Sequence, residues 1–324
     1  MEFWITGGAG FIGRALAEAL NRKDINDILI IDDLTNGEKF SNLKSLSFSE
    51  FIDVEDFLNK LDLNLLKKPK YIFHQGAITN TLERDGKLMF KYNYTFSIKL
   101  LNWACANKIP FIYASSAAVY GLNEICIEDK TYEDPINVYG YSKLAFDNYV
   151  RQNFHRINSQ VVGLRYFNVY GFGEQNKGKM ASTIFQFYNQ YKHNKKIKLF
   201  GEYLGYEKGL QSRDFIYIDD VINTIMWLCD NQNVSGIFNL GTGVSATFND
   251  IAREIIKNQT WAKDKNFNKI VEYIDFPENL KGKYQCFTLA NMKKLQKSGF
   301  NYKFLTIKEG ISRYIKNLEM VRNN

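Results

Sequence analysis

The chain is poor in cysteine and histidine, with four and three among 324 residues, and neither type is clustered. Cys105, Cys126, Cys229 and Cys286 lie far apart and form no CxxC pair, which excludes a zinc ribbon and a disulfide framework and fits a reducing cytoplasm. His74, His155 and His193 have no ligand spacing, so no metal chemistry is assigned to them. No apolar run approaches the roughly 18 residues of a membrane helix. The N-terminus runs straight into an apolar strand and a glycine turn, without a basic leader. The expectation is an unexported, cytoplasmic protein. The formal charge is +7, yet no basic arm or stripe is present. That dispersal argues against nucleic acid as a partner and suits a lysine-rich surface that attracts a diphosphate.

What is present is a core written in alternating pieces. The hydrophobic share of 45% is ordinary for a globular chain, and the length allows one large domain with a smaller lobe. Phe3–Thr6, Ile28–Asp32, Tyr71–His74, Pro110–Ser115 and Gln160–Tyr166 read as buried strands. Phe11–Asn21, Gly86–Asn107 and Tyr139–Arg156 read as helices, and Ile98, Leu101 and Cys105 mark one buried face of the second. This alternation predicts an α/β fold, a Rossmann-type doubly wound parallel sheet. Past Tyr166 the pattern loosens. Phe215–Ile218 and Gly236–Leu240 return as strands, and Asp219 is read as the cap of a helix over Val221–Cys229. Thr247 with Asp250, and Thr306 with Glu309, have capping-box spacing. Residues 1–167 with 214–241 are expected to form the dinucleotide-binding domain, and 168–213 with 242–324 a smaller, interleaved substrate-binding lobe.

The string TGGAGFIG sets Gly7, Gly10 and Gly13 between a strand and a helix. Glycines there permit a tight turn and let the backbone approach a pyrophosphate, which the helix N-terminus attracts. Asp32 at the end of the next strand suits the adenosine ribose and favours NAD; Lys39 suits a 2′-phosphate and favours NADP, or is a solvated loop lysine. Tyr139 and Lys143 stand at i and i+4 and share a helix face. A phenol needs its pKa lowered by about 3 units to serve as a base near neutrality, and a neighbouring ammonium supplies part of that. Ser115 and Ser116 end a strand, where open α/β sheets hold their ligands.

In order and spacing these motifs resemble the extended short-chain dehydrogenase/reductase family. FHQGA, YASSAAVYG, NVYGYSK, RYFNVYG, NKGKMAS, RDFIYIDDV and LKGKYQCFT narrow the likeness to its ADP-L-glycero-D-manno-heptose 6-epimerases. The resemblance implies an isomerase that uses NADP, with NAD as the alternative, acts on an ADP-heptose, and forms a homo-oligomer, often a pentamer. It implies Tyr139 and Lys177 as the two acid/base residues, assisted by Lys143 and Ser116. Phe11, Ile12, Asp32, Asp33, Lys39, Gln75, Gly76, Ala77, Ile78, Thr79, Asn93 and Val169 would line the cofactor beside the glycine turn. Ser116, Asn168, Lys179, Gln186, Phe200, Arg213 and Tyr284 would meet the sugar nucleotide. Without the resemblance, Lys177 reads as a solvated loop lysine and Arg213 as a surface partner of Asp214 or Asp219.

This chain also differs from the family pattern. Asp33 stands where asparagine is common, Val54 replaces a lysine, Lys179 and Gln186 replace a serine and a histidine, and GEYLGYEKGLQS between Phe200 and Arg213 is longer. Ala117 and Ala118 follow Ser116 where a 4,6-dehydratase carries an Asp–Glu pair. The remaining alternatives are a UDP-sugar C4-epimerase, which needs one tyrosine base, and a non-catalytic dinucleotide sensor on the same fold.

Overall fold

The computed structural model describes residues 1–262 and 265–320, and its backbone follows the alternation read from the sequence. β1 (Phe3–Thr6) leads through the glycine turn into α1 (Phe11–Asn21), then β2 (Ile28–Asp32), β3 (Glu50–Asp53), α2 (Val54–Asp62) and β4 (Tyr71–His74). α3 (Gly86–Phe90) and α4 (Phe96–Ala106) follow, joined by a π turn at Lys91–Thr95. Next come β5 (Phe111–Ser116), α5 (Val138–Asn153), β6 (Val161–Tyr166) and β7 (Asn168–Tyr170). The second half holds α6 (Thr183–Asn194), β8 (Ile197–Phe200), β9 (Ser212–Tyr217), α7 (Ile218–Asp230), β10 (Gly236–Leu240), β11 (Ser245–Thr247) and α8 (Phe248–Asn258). It ends with α9 (Phe267–Ile270), β12 (Val271–Ile274), α10 (Lys293–Lys297) and α11 (Ile307–Met320). The last four residues of the expected lobe lie outside the described residues.

Seven strands form one parallel sheet in the order β3-β2-β1-β4-β5-β6-β10. Successive side chains point to opposite faces. Ile5, Ile30, Phe73 and Ile112 therefore enter one core, and Trp4, Leu29, Ile31, Ile72 and Phe111 the other. Because helices cover both faces, the strands read as unbroken apolar runs. The strand order reverses between β1 and β4, which opens a crevice at their carboxyl ends. β11-β9-β7 and β12-β8 form two small sheets outside the large one.

Local signals succeed where they are short-range and fail where tertiary partners intervene. Both capping boxes form: Thr247 Oγ1 accepts from Asp250 N at 3.1 Å, and Thr306 Oγ1 from Glu309 N at 3.3 Å. Asp219 is not a cap. α7 begins at Ile218, and Asp219 in its first turn pairs with Arg313 at 3.2 Å. A carboxylate there is favoured by the helix dipole without capping anything. The helix expected over Gly86–Asn107 is interrupted by the π turn, and Ser97, Leu100, Leu101 and Ala104 form its buried face, with Ile98 and Cys105 as half-buried flanks.

One buried network fixes α5 to the sheet. Arg165 on β6 donates from Nε to Asp147 Oδ2 at 2.9 Å, from Nη2 to Glu133 Oε1 at 2.6 Å and from Nη1 to Tyr120 Oη at 3.0 Å. Asp147 on α5 also accepts from Tyr113 Oη and Ser115 Oγ of β5, both at 2.9 Å. Arg165 and Asp147 have no exposed side-chain surface. Replacing only the arginine leaves Asp147 in the core without its counter-charge, while Glu133 keeps Arg151, so Arg165→Met is expected to cost ~3–5 kcal/mol. Lys99→Met, which removes an exposed pair with Asp62, should cost less than about 1 kcal/mol. Urea denaturation of the two variants checks the contrast.

Candidate active site

The crevice is lined first by glycine. Gly7 leaves β1 with φ +68°, and a β-carbon there would lie 2.6 Å from Gly76 Cα in the turn after β4. A β-carbon on Gly13 would fall 2.2 Å from the Gly7 carbonyl oxygen. Gly10 precedes α1 and offers no capping side chain, so the first-turn amides, those of Phe11, Ile12 and Gly13, face the crevice end uncapped. Asp32 accepts from Ala9 N at 2.8 Å, Asp33 N at 2.7 Å and Lys39 Nζ at 3.0 Å. Lys39 also donates to the Asp33 carbonyl at 2.7 Å. Hydrogen bonds from Thr35 hold the Asp33 carboxyl below its usual range.

The Gln75–Thr79 loop forms the opposite wall. Gly76 N donates to Thr6 Oγ1 at 3.0 Å, which in turn donates to His74 Nδ1 at 2.7 Å. His74 Nε2 meets Ser97 Oγ at 2.8 Å, and Ser97 gives its own proton to Asn93 O at 2.8 Å. That order of donors requires the neutral Nε2–H tautomer, and burial holds the imidazole pKa down at about 3. His74 links Thr6 on β1 to Ser97 on α4. Asn93 is buried in the π turn, accepting from Ile78 N at 2.8 Å and donating to Ile78 O at 3.0 Å. It supports the wall from behind. Gln75 Oε1 accepts from Tyr166 Oη at 2.8 Å, while its buried Nε2 has no partner among the described residues. Ala77 is half-buried and Thr79 exposed.

α5 starts where Asn137 Oδ1 accepts from Gly140 N at 2.8 Å. Lys143 is 4% exposed and donates to Ala114 O at 2.8 Å. Burial pushes its ammonium down to about 8, against the opposing pull of Asp147. Burial also raises the Tyr139 phenol, with a hydrogen bond to Ser116 pulling it back. Here desolvation outweighs the hydrogen bond, and the Lys143 ammonium, expected to supply part of the lowering, is turned to the Ala114 carbonyl. Ser115 is engaged by Asp147, whereas Ser116 begins the next turn by accepting from Ala118 N at 3.1 Å and also meets Tyr139.

Lys177 lies in the 3₁₀ stretch Gln175–Met180, half-buried, with its ammonium 5.6 Å from the centre of the Phe11 ring on α1. Burial lowers its pKa, opposed by Glu174. Glu174, which the sequence reading passed over, staples this loop: its buried carboxylate accepts from Gly171 N at 3.1 Å and from both Ser182 N and Ser182 Oγ. Gln186 donates to the carbonyls of Lys179 and Ala181, at 3.1 and 3.0 Å, while the Lys179 side chain is exposed. Val169 is half-buried on β7, and the exposed Asn168 lies 3.5 Å from Thr288 Oγ1.

Arg213 is not a surface ion pair. It is 7% exposed, with its guanidinium 4.9 Å from the Tyr284 ring centre and 5.7 Å from that of Phe248. Asp214 instead accepts from Thr242, Gly243 and Ala290, and Asp219 pairs with Arg313. No carboxylate pairs with Arg213 among the described residues. Phe200 completes an aromatic wall, 5.7 Å from Tyr284 and 5.3 Å from Phe276.

The glycine cradle, the uncapped helix and the unpartnered Gln75 donor fit a dinucleotide, and the tyrosine, the serine, the buried Lys143 and the half-buried Lys177 can move protons. No cluster of His, Cys, Asp and Glu among the described residues is suited to a metal, and no helix there is long and apolar enough to cross a membrane. Gly13→Ala should weaken dinucleotide binding about tenfold or more, because the added methyl collides with backbone. Gly37→Ala, with nothing within 4 Å, should bind normally. Calorimetric titration with NAD and NADP separates the two.

The chain matches solved enzymes along nearly its whole length. It is 32% identical to ADP-L-glycero-D-manno-heptose-6-epimerase from Helicobacter pylori, covering 98% of this chain and 96% of that one with a TM-score of 0.82. It is 26% identical to UDP-N-acetylglucosamine 4-epimerase from Methanobrevibacter ruminantium M1, covering 99% and 98% with a TM-score of 0.82. The UDP-glucuronic acid 4-epimerase from Bacillus cereus, solved with UDP-glucuronic acid and NAD, is also 26% identical, covering 98% and 100% with a TM-score of 0.78. The family model of the NAD dependent epimerase/dehydratase family matches residues 3–241, and the chain belongs to that family.

Proposed function

We propose that this protein inverts C6 of the heptose in ADP-D-glycero-β-D-manno-heptose, giving ADP-L-glycero-β-D-manno-heptose for the lipopolysaccharide core. The observation that carries this reading is Lys177. Its ammonium is half-buried over Phe11 with a lowered pKa, which is unlike a solvated loop lysine and suits an acid/base. The motif NKGKMAS around it and the likeness to the Helicobacter pylori enzyme point the same way.

The C6 hydrogen of a heptose is not acidic, so removing it as a proton does not invert the centre. When bound, the dinucleotide supplies reversible hydride removal at C6, with no net redox change. Tyr139 and Lys177 take and return the hydroxyl proton, one on each face of the carbon. Ser116 orients the sugar oxygen, Lys143 holds the nicotinamide ribose, and Arg213 receives the diphosphate, to which its planar fork is matched. Burying Lys143 and Arg213 and half-burying Lys177 without full compensation is costly, and a polyanionic ligand relieves that cost.

Tyr139→Phe and Lys177→Met should each slow C6 inversion by about 10²–10⁴-fold, with dinucleotide binding retained. Inversion is followed by NMR, and turnover in heavy water should leave C6 free of deuterium. Activity of Lys177→Met within a few-fold of the parent would favour a one-tyrosine C4-epimerase instead.

The resemblance points to NADP, with Lys39 as the partner of the 2′-phosphate. A second reading, NAD, is favoured by the pairing of Lys39 with Asp32 and by the extra carboxylate of Asp33. Two carboxylates and one ammonium leave that rim negative, which opposes a 2′-phosphate. On the NADP reading, calorimetry gives tighter NADP than NAD, and Lys39→Ala removes the difference. Tighter NAD, with Asp33→Asn narrowing the gap, decides for NAD.

A further inference from the structure

The segment between Phe200 and Arg213, longer here than the family pattern, folds into a hairpin. Tyr203 N donates to Tyr206 O and Tyr206 N to Tyr203 O, both at 3.0 Å. Leu204 and Gly205 at its tip have φ +51° and +79°. Positive φ at both central residues is the conformation of the tightest hairpins and is usually filled by Asn-Gly. A leucine there is strained, and such strain persists only where surrounding contacts hold it.

The contacts are two tyrosines that reach opposite walls. Tyr203 stacks on Phe276 with ring centres 3.8 Å apart and planes at 10°, and its hydroxyl accepts from Gly282 N at 2.7 Å. Phe276 in turn packs at 5.3 Å from Tyr284, the ring beside Arg213. Tyr206 donates to Glu124 Oε1 at 2.7 Å. Glu124 lies on the segment that leaves Ser116, whose Gly121 carbonyl accepts from Gln285 Nε2. One wall thus carries Arg213 and Tyr284, the other continues from Ser116, and the hairpin joins them. The carboxylate pushes the Tyr206 phenol up to about 12, in keeping with its hydroxyl as the donor of this bond.

We propose that Tyr206 and Glu124 are positioning residues for the nucleotide sugar: through the hairpin they strap the diphosphate wall to the wall of Ser116 and fix the width of the cleft between. This rests on the sugar-nucleotide reading of the site. A preformed cleft lowers the ordering cost of binding, so the strap acts on affinity and leaves the proton-transfer groups alone.

The experiment measures Kd, KM and kcat for ADP-D-glycero-β-D-manno-heptose with the parent, Tyr206→Phe, Glu124→Ala and the double variant. Each single change should raise Kd and KM about three- to tenfold, with kcat within about twofold. The double variant should be no worse than either single, since both remove one bond. Calorimetric NAD(P) binding and the thermal midpoint should match the parent in all three, which a general structural defect would not allow. Unchanged Kd in both singles, or additive effects in the double, overturns the strap. A parent that binds neither this substrate nor ADP overturns the sugar-nucleotide reading, and the strap with it.

Discussion

Everything at this site depends on two backbone turns that meet at the point where the sheet reverses its strand order. Gly7 after β1 and Gly76 after β4 approach so closely that neither side admits a side chain without displacement. The close approach is what brings the uncapped start of α1 opposite the Gln75–Thr79 loop. The loop itself is held by a chain of hydrogen bonds through Thr6, His74, Ser97 and Asn93. Every group in that chain is satisfied, which makes a buried polar network rigid instead of costly.

The helix α5 is placed by different physics. α5 carries Tyr139 and Lys143, and its position is set by the buried Asp147–Arg165 pair together with Tyr113 and Ser115. The same Asp147 opposes the fall of the Lys143 pKa. One carboxylate thereby serves both as a mechanical tie and as a counter-charge. Lys177 has an analogous companion in Glu174, which closes the Gly171–Ser182 loop and partly compensates the lysine's burial.

Lys143, Lys177 and Arg213 are the charges that distinguish this cleft from the surface. The surface pairs are numerous, but exposed pairs are individually weak. A buried arginine flanked by Tyr284 and Phe248, with no carboxylate partner among the described residues, is an unusual expense in a core. Phosphate oxygens offer the matching acceptors.

Local chemistry was legible in the sequence. The strands β1, β2 and β4, the glycine turn and both capping boxes depend on residues within a few positions of one another, so spacing and residue type suffice to find them. Composition alone renders Lys177 and Arg213 as surface residues, whereas the fold half-buries the first and buries the second. The tertiary structure decided what depends on distant partners. Asp219 turned to Arg313 instead of capping α7, the π turn drew Asn93 inward, and Lys39 fell on Asp32. Burial, which no local pattern states, raised Tyr139 and lowered Lys143 and Lys177. Tyr203 and Tyr206 sit three positions apart in the chain but reach separate walls, because a hairpin's direction is local whereas its partners, Phe276 and Glu124, are supplied by the fold.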